Sequence, residues 1–203
     1  MRKADRRPEA PTRTEAVAVG RRLLLRPPSA ADAGEFVRLA RASRAFHRGL
    51  VAPPRRRADF APYVRRGHDP RQAPLLVCRR RDGAIVGAMN FSEIVHGNFR
   101  SAYLGYYVFA PHARQGYMTE ALALALRHAF GALRLHRVEA NIQPGNVASL
   151  ALVRRAGFRC EGFSPGYLRI GGRWRDHERW ALLREQWRPR RGRPRATDSS
   201  RPS

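Results

Sequence analysis

The chain has almost no lysine. Lys3 stands alone among forty basic residues, the rest being arginine, and only sixteen acidic residues oppose them, for a formal charge of +24. Arginine in place of lysine fits a GC-rich coding sequence, but base composition gives no reason for the shortage of Asp and Glu. A surface this positive attracts polyanions such as RNA, DNA or anionic membrane; the plainer reading is a basic surface left by base composition alone. Cysteine is scarce as well. Cys78 and Cys160 cannot build a disulfide framework or a Cys-x-x-Cys zinc site, and they read as reduced thiols of a cytoplasmic protein. No apolar run approaches the roughly 18 residues of a membrane span. The opening MRKADRRPEAPTRTEA is charged and has no apolar stretch, so it does not read as a secretory signal. Secreted, membrane and zinc-finger classes are set aside, and no metal is expected.

What the chain does have is material for one core. It is 203 residues long and 43% hydrophobic, which suits one domain plus tails. Residues 1–19 read as a basic tail. So do residues 188–203, RPRRGRPRATDSSRPS, which contain no large apolar side chain to repay ordering entropy. The folded domain is expected over 20–187. Within it Arg22 to Arg26 reads as a strand stopped by Pro27-Pro28, and Ser29 with Asp32 as a helix cap followed by Phe36, Leu39 and Ala40 at helical spacing. Residues 43–74 carry too much Pro and Arg for a clear period, apart from a short helix near 57–66. Leu75–Cys78 and Ile85–Phe91 flank Asp82-Gly83 as a hairpin. Ser101–Phe109 is a strand, and Gly116–Gly131 a helix with Met118, Leu122, Ala125, Leu126 and Ala129 on one stripe. A strand at Val138–Ile142, a helix at 147–156 and closing strands at Phe158–Phe163 and Arg173–Leu183 complete an α/β sheet of mixed direction with helices on both faces.

Two segments carry chemistry. The first is Ala113-Arg114-Gln115-Gly116-Tyr117-Met118-Thr119-Glu120, between a strand and the best helix. A helix start leaves about four N–H groups unpaired, and with the macrodipole they form an anion site. Gly116 lets the backbone approach a phosphate, or simply makes the turn. The segment is neither a Walker loop nor a GxGxxG fingerprint. The second is Asn141-Ile142-Gln143-Pro144-Gly145-Asn146-Val147-Ala148-Ser149, then Arg155-Ala156-Gly157-Phe158. Asn146 reads as an N-cap with Ser149 at N3, and Gly157 as the glycine that ends the helix. A cap at a sheet's carboxyl edge also faces any ligand there.

These segments, about 30 residues apart, resemble the GNAT superfamily of acetyl-CoA-dependent N-acetyltransferases. Gly116 matches the first glycine of the family's Q/R-x-x-G-x-G/A loop, while Met118 replaces the second glycine and Ala113 the leading residue. RLLLRP, VGAMNFSEIVHGNF, AYLGYYV, QGYMTEAL, LHRVEANIQPGNVAS, RAGFRCEG and GYLRIGGRWRDHERWAL resemble the RimJ/RimL branch of ribosomal-protein-alanine acetyltransferases, over about residues 20–188. The resemblance implies a twisted, mostly antiparallel sheet of about six to seven strands and direct acetyl transfer to an amine. It implies that strand 101–109, ending in Val108 and Phe109, pairs with the pantetheine arm, a backbone N–H near Val108 polarising the thioester. The amides of Arg114, Gln115, Gly116, Tyr117, Met118 and Thr119 would hold the pyrophosphate. Asn146 would bond the arm, and Ser149 would protonate the leaving thiolate. Asn141, where RimI-like relatives carry a base glutamate, joins the cofactor-facing set, and Tyr167 is a candidate for the acceptor tunnel. No general base is assigned, although Glu93 and Glu139 remain; an α-amino group titrates near pH 8, so a positioned water suffices.

Cys160 reads as a core thiol without a base. Asp176-His177-Glu178 cannot ligate one ion, because neighbours on a strand point to opposite faces. The implied function is acetylation of a ribosomal protein's N-terminal alanine, with rRNA attraction aiding encounter, by a monomer or weak dimer. An acetyltransferase for small amines or antibiotics, and a catalytically weak basic RNA-binding protein, stand as the alternatives.

Overall fold

The computed structural model describes residues 16–188. The expected tails at 1–15 and 189–203 lie outside the described residues. Eight strands form one sheet in the order β1-β2-β3-β4-β5-β6-β8-β7, one or two more than expected. Strand β1 (Ala18–Val19) pairs with β2 (Leu23–Arg26), so the sheet starts inside the segment read as an N-terminal tail. Strands β3 (Ala73–Arg79) and β4 (Ile85–Val95) make the hairpin around Asp82-Gly83, with Gly83 at φ 71°. Beyond β5 (Ser101–Val108), β6 (Arg137–Ile142) supplies the one parallel pairing among the described residues, and β7 (Arg159–Ile170) and β8 (Arg173–Leu183) close the far edge.

Strand alternation sorts the apolar residues into two cores. Leu23, Leu25, Leu75 and Val77 face α3 (Tyr117–Phe130) and α4 (Val147–Ala156), with Leu122, Ala125, Leu126 and Ala129 of the expected stripe buried against them. Leu24, Leu76 and Cys78 face α1 (Ala33–Ala42) and α2 (Arg57–Arg65), where Phe36 meets Phe60 at 4.7 Å and Phe109 edge-on at 5.3 Å. Helices therefore cover both faces. The capping box forms ahead of α1: Asp32 accepts from the Ser29 amide at 2.7 Å and from Arg26 at 2.8 Å. None of the described helices is long and apolar enough to cross a membrane.

The feature that makes a site is a defect in the sheet. Strands β5 and β6 pair only over Ser101–Tyr103 with Arg137–Glu139 and then part. Beyond Tyr103, β5 keeps β4 as its partner and β6 keeps β8. A wedge opens towards the carboxyl ends of two parallel strands, and α3 and α4 both begin at its mouth, a common place for ligands in α/β sheets.

Candidate active site

A cleft of about 410 Å³ fills the wedge. Its lining brings together Val108, Arg114, Gln115, Gly116, Tyr117, Met118, Thr119, Asn146 and Ser149, residues from segments far apart in sequence. Phe109 donates its amide to Val86 O on β4 at 2.9 Å. Amide direction alternates along a strand, so the amides of Val108 and Tyr106 point the other way, into the gap.

The loop before α3 is shaped by two left-handed residues. Gly116 lies at φ 72° as the N-cap, and Arg114 at φ 60°, a conformation rare for a residue with a side chain. Such alternation turns successive amides inward as an anion-binding nest. Arg22 braces the loop from outside. It donates to Gln115 O at 3.1 Å, pairs with Glu120 at 3.1 Å and lies over the Tyr117 ring at 5.0 Å. Burial pushes the Glu120 carboxyl up, but bonds from Arg22 and the Leu23 amide outweigh it, so the group stays below the usual carboxylate range. At the start of α4, Asn146 Oδ1 accepts from the Ser149 amide at 3.2 Å, and Gly157 ends the helix at φ 94°. Tyr106 reaches Ser149 from β5 and donates to its carbonyl at 3.4 Å.

Three expected site residues lie elsewhere. The Phe109 ring is fully buried in the α1–α2 core and its amide is spent on β4. Asn141 sits on the face of β6 opposite Ala140 and Ile142, outside the cleft lining, with its Oδ1 buried and unpartnered. Tyr167 stands at the wedge's apex, its hydroxyl 3.3 Å from that of Tyr103, which pairs with Glu139 in the last rung before the strands part. That hydrogen bond, with burial and the nearby charges of Glu139 and Glu93, pushes Tyr103 up to about 12, so it holds its proton. Glu139 is engaged by Arg137 at 3.2 Å.

Cys160 is a correction: it is exposed, not core, because the edge strand β7 has no buried side chain on either face. The Asp176–Glu178 triplet disperses as strand geometry requires. His177 is buried, Asp176 takes the Gly166 amide at 2.7 Å, and Glu178 takes Trp180 Nε1 at 2.9 Å. Among the described residues no His, Cys, Asp or Glu cluster could hold a metal ion.

Sequence reasoning missed His47. It lies in the segment after α1 that shows no readable period, and it reaches across to Val108 O with Nε2 at 2.8 Å. A carbonyl only accepts, so Nε2 carries the proton. Nδ1 is buried without a partner, and burial lowers the ring's pKa although the Val108 bond works against it, so the ring stays neutral. Phe46, Leu50 and Val51 from the same segment roof the cleft.

The acetyltransferase (GNAT) domain family matches residues 22–159. The chain is 42% identical over 107 residues to the "[Ribosomal protein uS5]-alanine N-acetyltransferase" of Escherichia coli, covering 53% of this chain and 55% of that protein. It thus spans about half the length of the curated relatives it matches. Among solved structures, Mycobacterium smegmatis RimJ in complex with CoA-disulfide superposes with a TM-score of 0.73 at 31% identity, covering 80% of this chain and 82% of that one. Spermidine N-acetyltransferase from Vibrio cholerae, in complex with CoA and spermine, shares the fold at a TM-score of 0.70 and 21% identity, covering 81% and 97%. A wedge between two parallel strands, two helix starts at its mouth and a family match across both place this chain in the GNAT acetyltransferase family.

Proposed function

We propose that the protein moves acetyl from acetyl-CoA to the N-terminal α-amino group, alanine first, of a ribosomal protein, by direct transfer in a ternary complex. The observation that carries the reading is the wedge. It offers unpaired strand amides beside an amide-lined loop at φ 60° and 72°, which suits a long thioester ending in a pyrophosphate. The loop amides of Arg114 to Thr119 take the phosphates. The Val108 amide polarises the thioester carbonyl, with Tyr106 offering a second inward amide. The amine attacks the carbonyl carbon, the carbon–sulfur bond breaks, and the sulfur takes a proton from the Ser149 hydroxyl. The proton lost by the amine passes to water, since no carboxylate lines the cleft, and water returns a proton to the Ser149 oxygen, so the net transfer is one proton from nitrogen to sulfur. Asn146 steadies the arm, and Tyr167 borders the acceptor side.

The ribosomal acceptor rests on likeness to the Escherichia coli relative and on a charge of +24, which draws the enzyme to rRNA and repels a polycationic small amine. The test sets an Ala-starting peptide, spermidine and an aminoglycoside against the enzyme with acetyl-CoA, with products located by mass spectrometry. Acetyl on the peptide α-amine is the expected result. Turnover of small amines alone would replace this reading, and calorimetry without acetyl-CoA binding would favour a non-catalytic basic protein.

A further inference from the structure

We infer that a second cavity, on the α2 side of the sheet, receives the acceptor peptide beyond its amine and selects acidic side chains there. This rests on the peptide-acceptor reading above. The cavity measures about 590 Å³, larger than the cleft. It lies between α2, the segment 51–56 and strands β4 and β5, and Val51 and Tyr107 line both spaces. A chain lodged in it would lie beside the wedge, with Val51 and Tyr107 between the two spaces.

Its walls carry three cations against one anion. Arg55, Arg56 and Arg66 face Asp59, and Asp59 is already engaged by Arg56 at 2.9 Å. The Arg66 guanidinium is held over the Tyr63 ring at 5.9 Å, and Arg55 makes no salt bridge among the described residues, its charge acting on Asp59 only at longer range. The mouth thus carries an excess of two positive charges. Deeper in, Tyr63 donates to Asn90 Oδ1 at 2.7 Å, and the Tyr107 hydroxyl is buried beside Tyr63, so the floor of the cavity is closed and the charged groups stand at its mouth. Carboxylates pair well with guanidinium forks, whereas a lysine side chain or a polyamine meets only repulsion. Arg55 and Arg66 are exposed, so the effect is moderate and screened by salt.

The test compares kcat/KM by thiol release for peptides beginning Ala-Glu-Glu, Ala-Gly-Gly and Ala-Lys-Lys, with spermidine alongside. At low salt the expected order is Glu, then Gly, then Lys, with about tenfold between the extremes, equivalent to about 1.4 kcal/mol. The Arg55→Glu/Arg66→Glu double variant should reverse that order. Each enzyme is compared with itself across peptides, so a loss of folded fraction cancels. Arg81→Glu/Arg159→Glu, a charge change of the same size away from the cavity, should keep the wild-type order. Peptides turned over within twofold of one another by the wild type would overturn the inference alone. So would an acidic preference that survives the cavity double variant, or one abolished equally by the remote pair. Turnover of spermidine with no peptide acetylated would overturn the acceptor reading and this inference together.

Discussion

Replacing Gly116 by valine perturbs two quantities that can be read separately. The residue sits at φ 72°, so any side chain is strained there whatever the space, at a cost of about 1–2 kcal/mol for alanine and more for a β-branched residue. For a folded domain of this size, each 1 kcal/mol lowers Tm by roughly 2–4 °C, so Gly116→Ala should melt about 2–8 °C below wild type. Space is not the obstacle. An added Cβ would meet only Arg22 Nη2, at 3.6 Å, the group that braces the loop from outside. The loop amides are proposed to hold the phosphates, so a side chain that shifts Arg22 or tilts those amides should lower acetyl-CoA affinity for a second reason, independent of stability. Asparagine tolerates the left-handed region and separates the two effects. Gly116→Asn should regain most of the lost Tm in differential scanning calorimetry yet still bind acetyl-CoA severalfold more weakly in titration calorimetry. Gly116→Val should lose more than tenfold in Kd. A valine variant that binds acetyl-CoA like wild type would refute the loop assignment, and an asparagine variant restored in both readouts would show that only backbone strain mattered.

The other predictions are shorter. Ser149→Ala should lower kcat with little change in acetyl-CoA affinity, because the proton is given late in the reaction; an unchanged kcat would leave Ser149 as a helix-start residue. Burial depresses the pKa of His47 and of His128, so the unfolded chain takes up more protons than the native one below about pH 6.5, and Tm should fall as the pH drops from 6.5 towards 5. His47→Gln keeps a donor for Val108 O while removing the titration, so it should flatten part of that decline and retain more kcat than His47→Ala. Removing residues 189–203 takes away five arginines and one aspartate, a net four positive charges. If these arginines neutralise rRNA phosphates, the slope of log K for ribosomes against log salt should lessen by up to about 0.9 for each phosphate left free, while turnover of a free peptide stays the same. Identical slopes would leave the arginines as a consequence of base composition.

Most of the architecture is legible because its signals are local. Asn146 and Gly157 bracket α4 through contacts within a few residues, and Asp82-Gly83 turns the β3–β4 hairpin by its own dihedral preference. The stripe on α3 needs only helical spacing. Strand β7 reads as ending at Phe163 because Pro165 and Gly166 break any alternation. Its pairing with β8 shifts register between Ser164 and Leu168, then resumes to Ile170. Strand β1 escapes a sequence reading because two residues carry no period; β2 supplies its order. Cys160 reads as interior only if its strand is covered, whereas β7, at the sheet edge, buries no side chain on either face.

The site divides along the same line. Gly116, Asn146 and Ser149 announce themselves through helix starts, and the cleft lining contains all three. What holds them in place is non-local and has no signature in spacing. Arg22 clamps Gln115 and Glu120 from another strand, and His47 clamps the Val108 carbonyl from a loop without periodicity. The wedge itself is a pairing that stops. Tyr103 and Glu139 form its last rung, and nothing in either strand's composition marks that point, because Leu104 and Ala140 are as apolar and as buried as Ala102 and Val138. What separates the strands is the set of partners on their outer sides. Strand β4 keeps β5 through Gly87, whose missing Cβ would lie 2.3 Å from Tyr107 O, and β8 keeps β6 to Ile142. Gly87→Ala would force β4 away from β5 at the level of Tyr107 and Val108. By this geometry it should damage acetyl-CoA binding from the far side of the strand without touching the cleft.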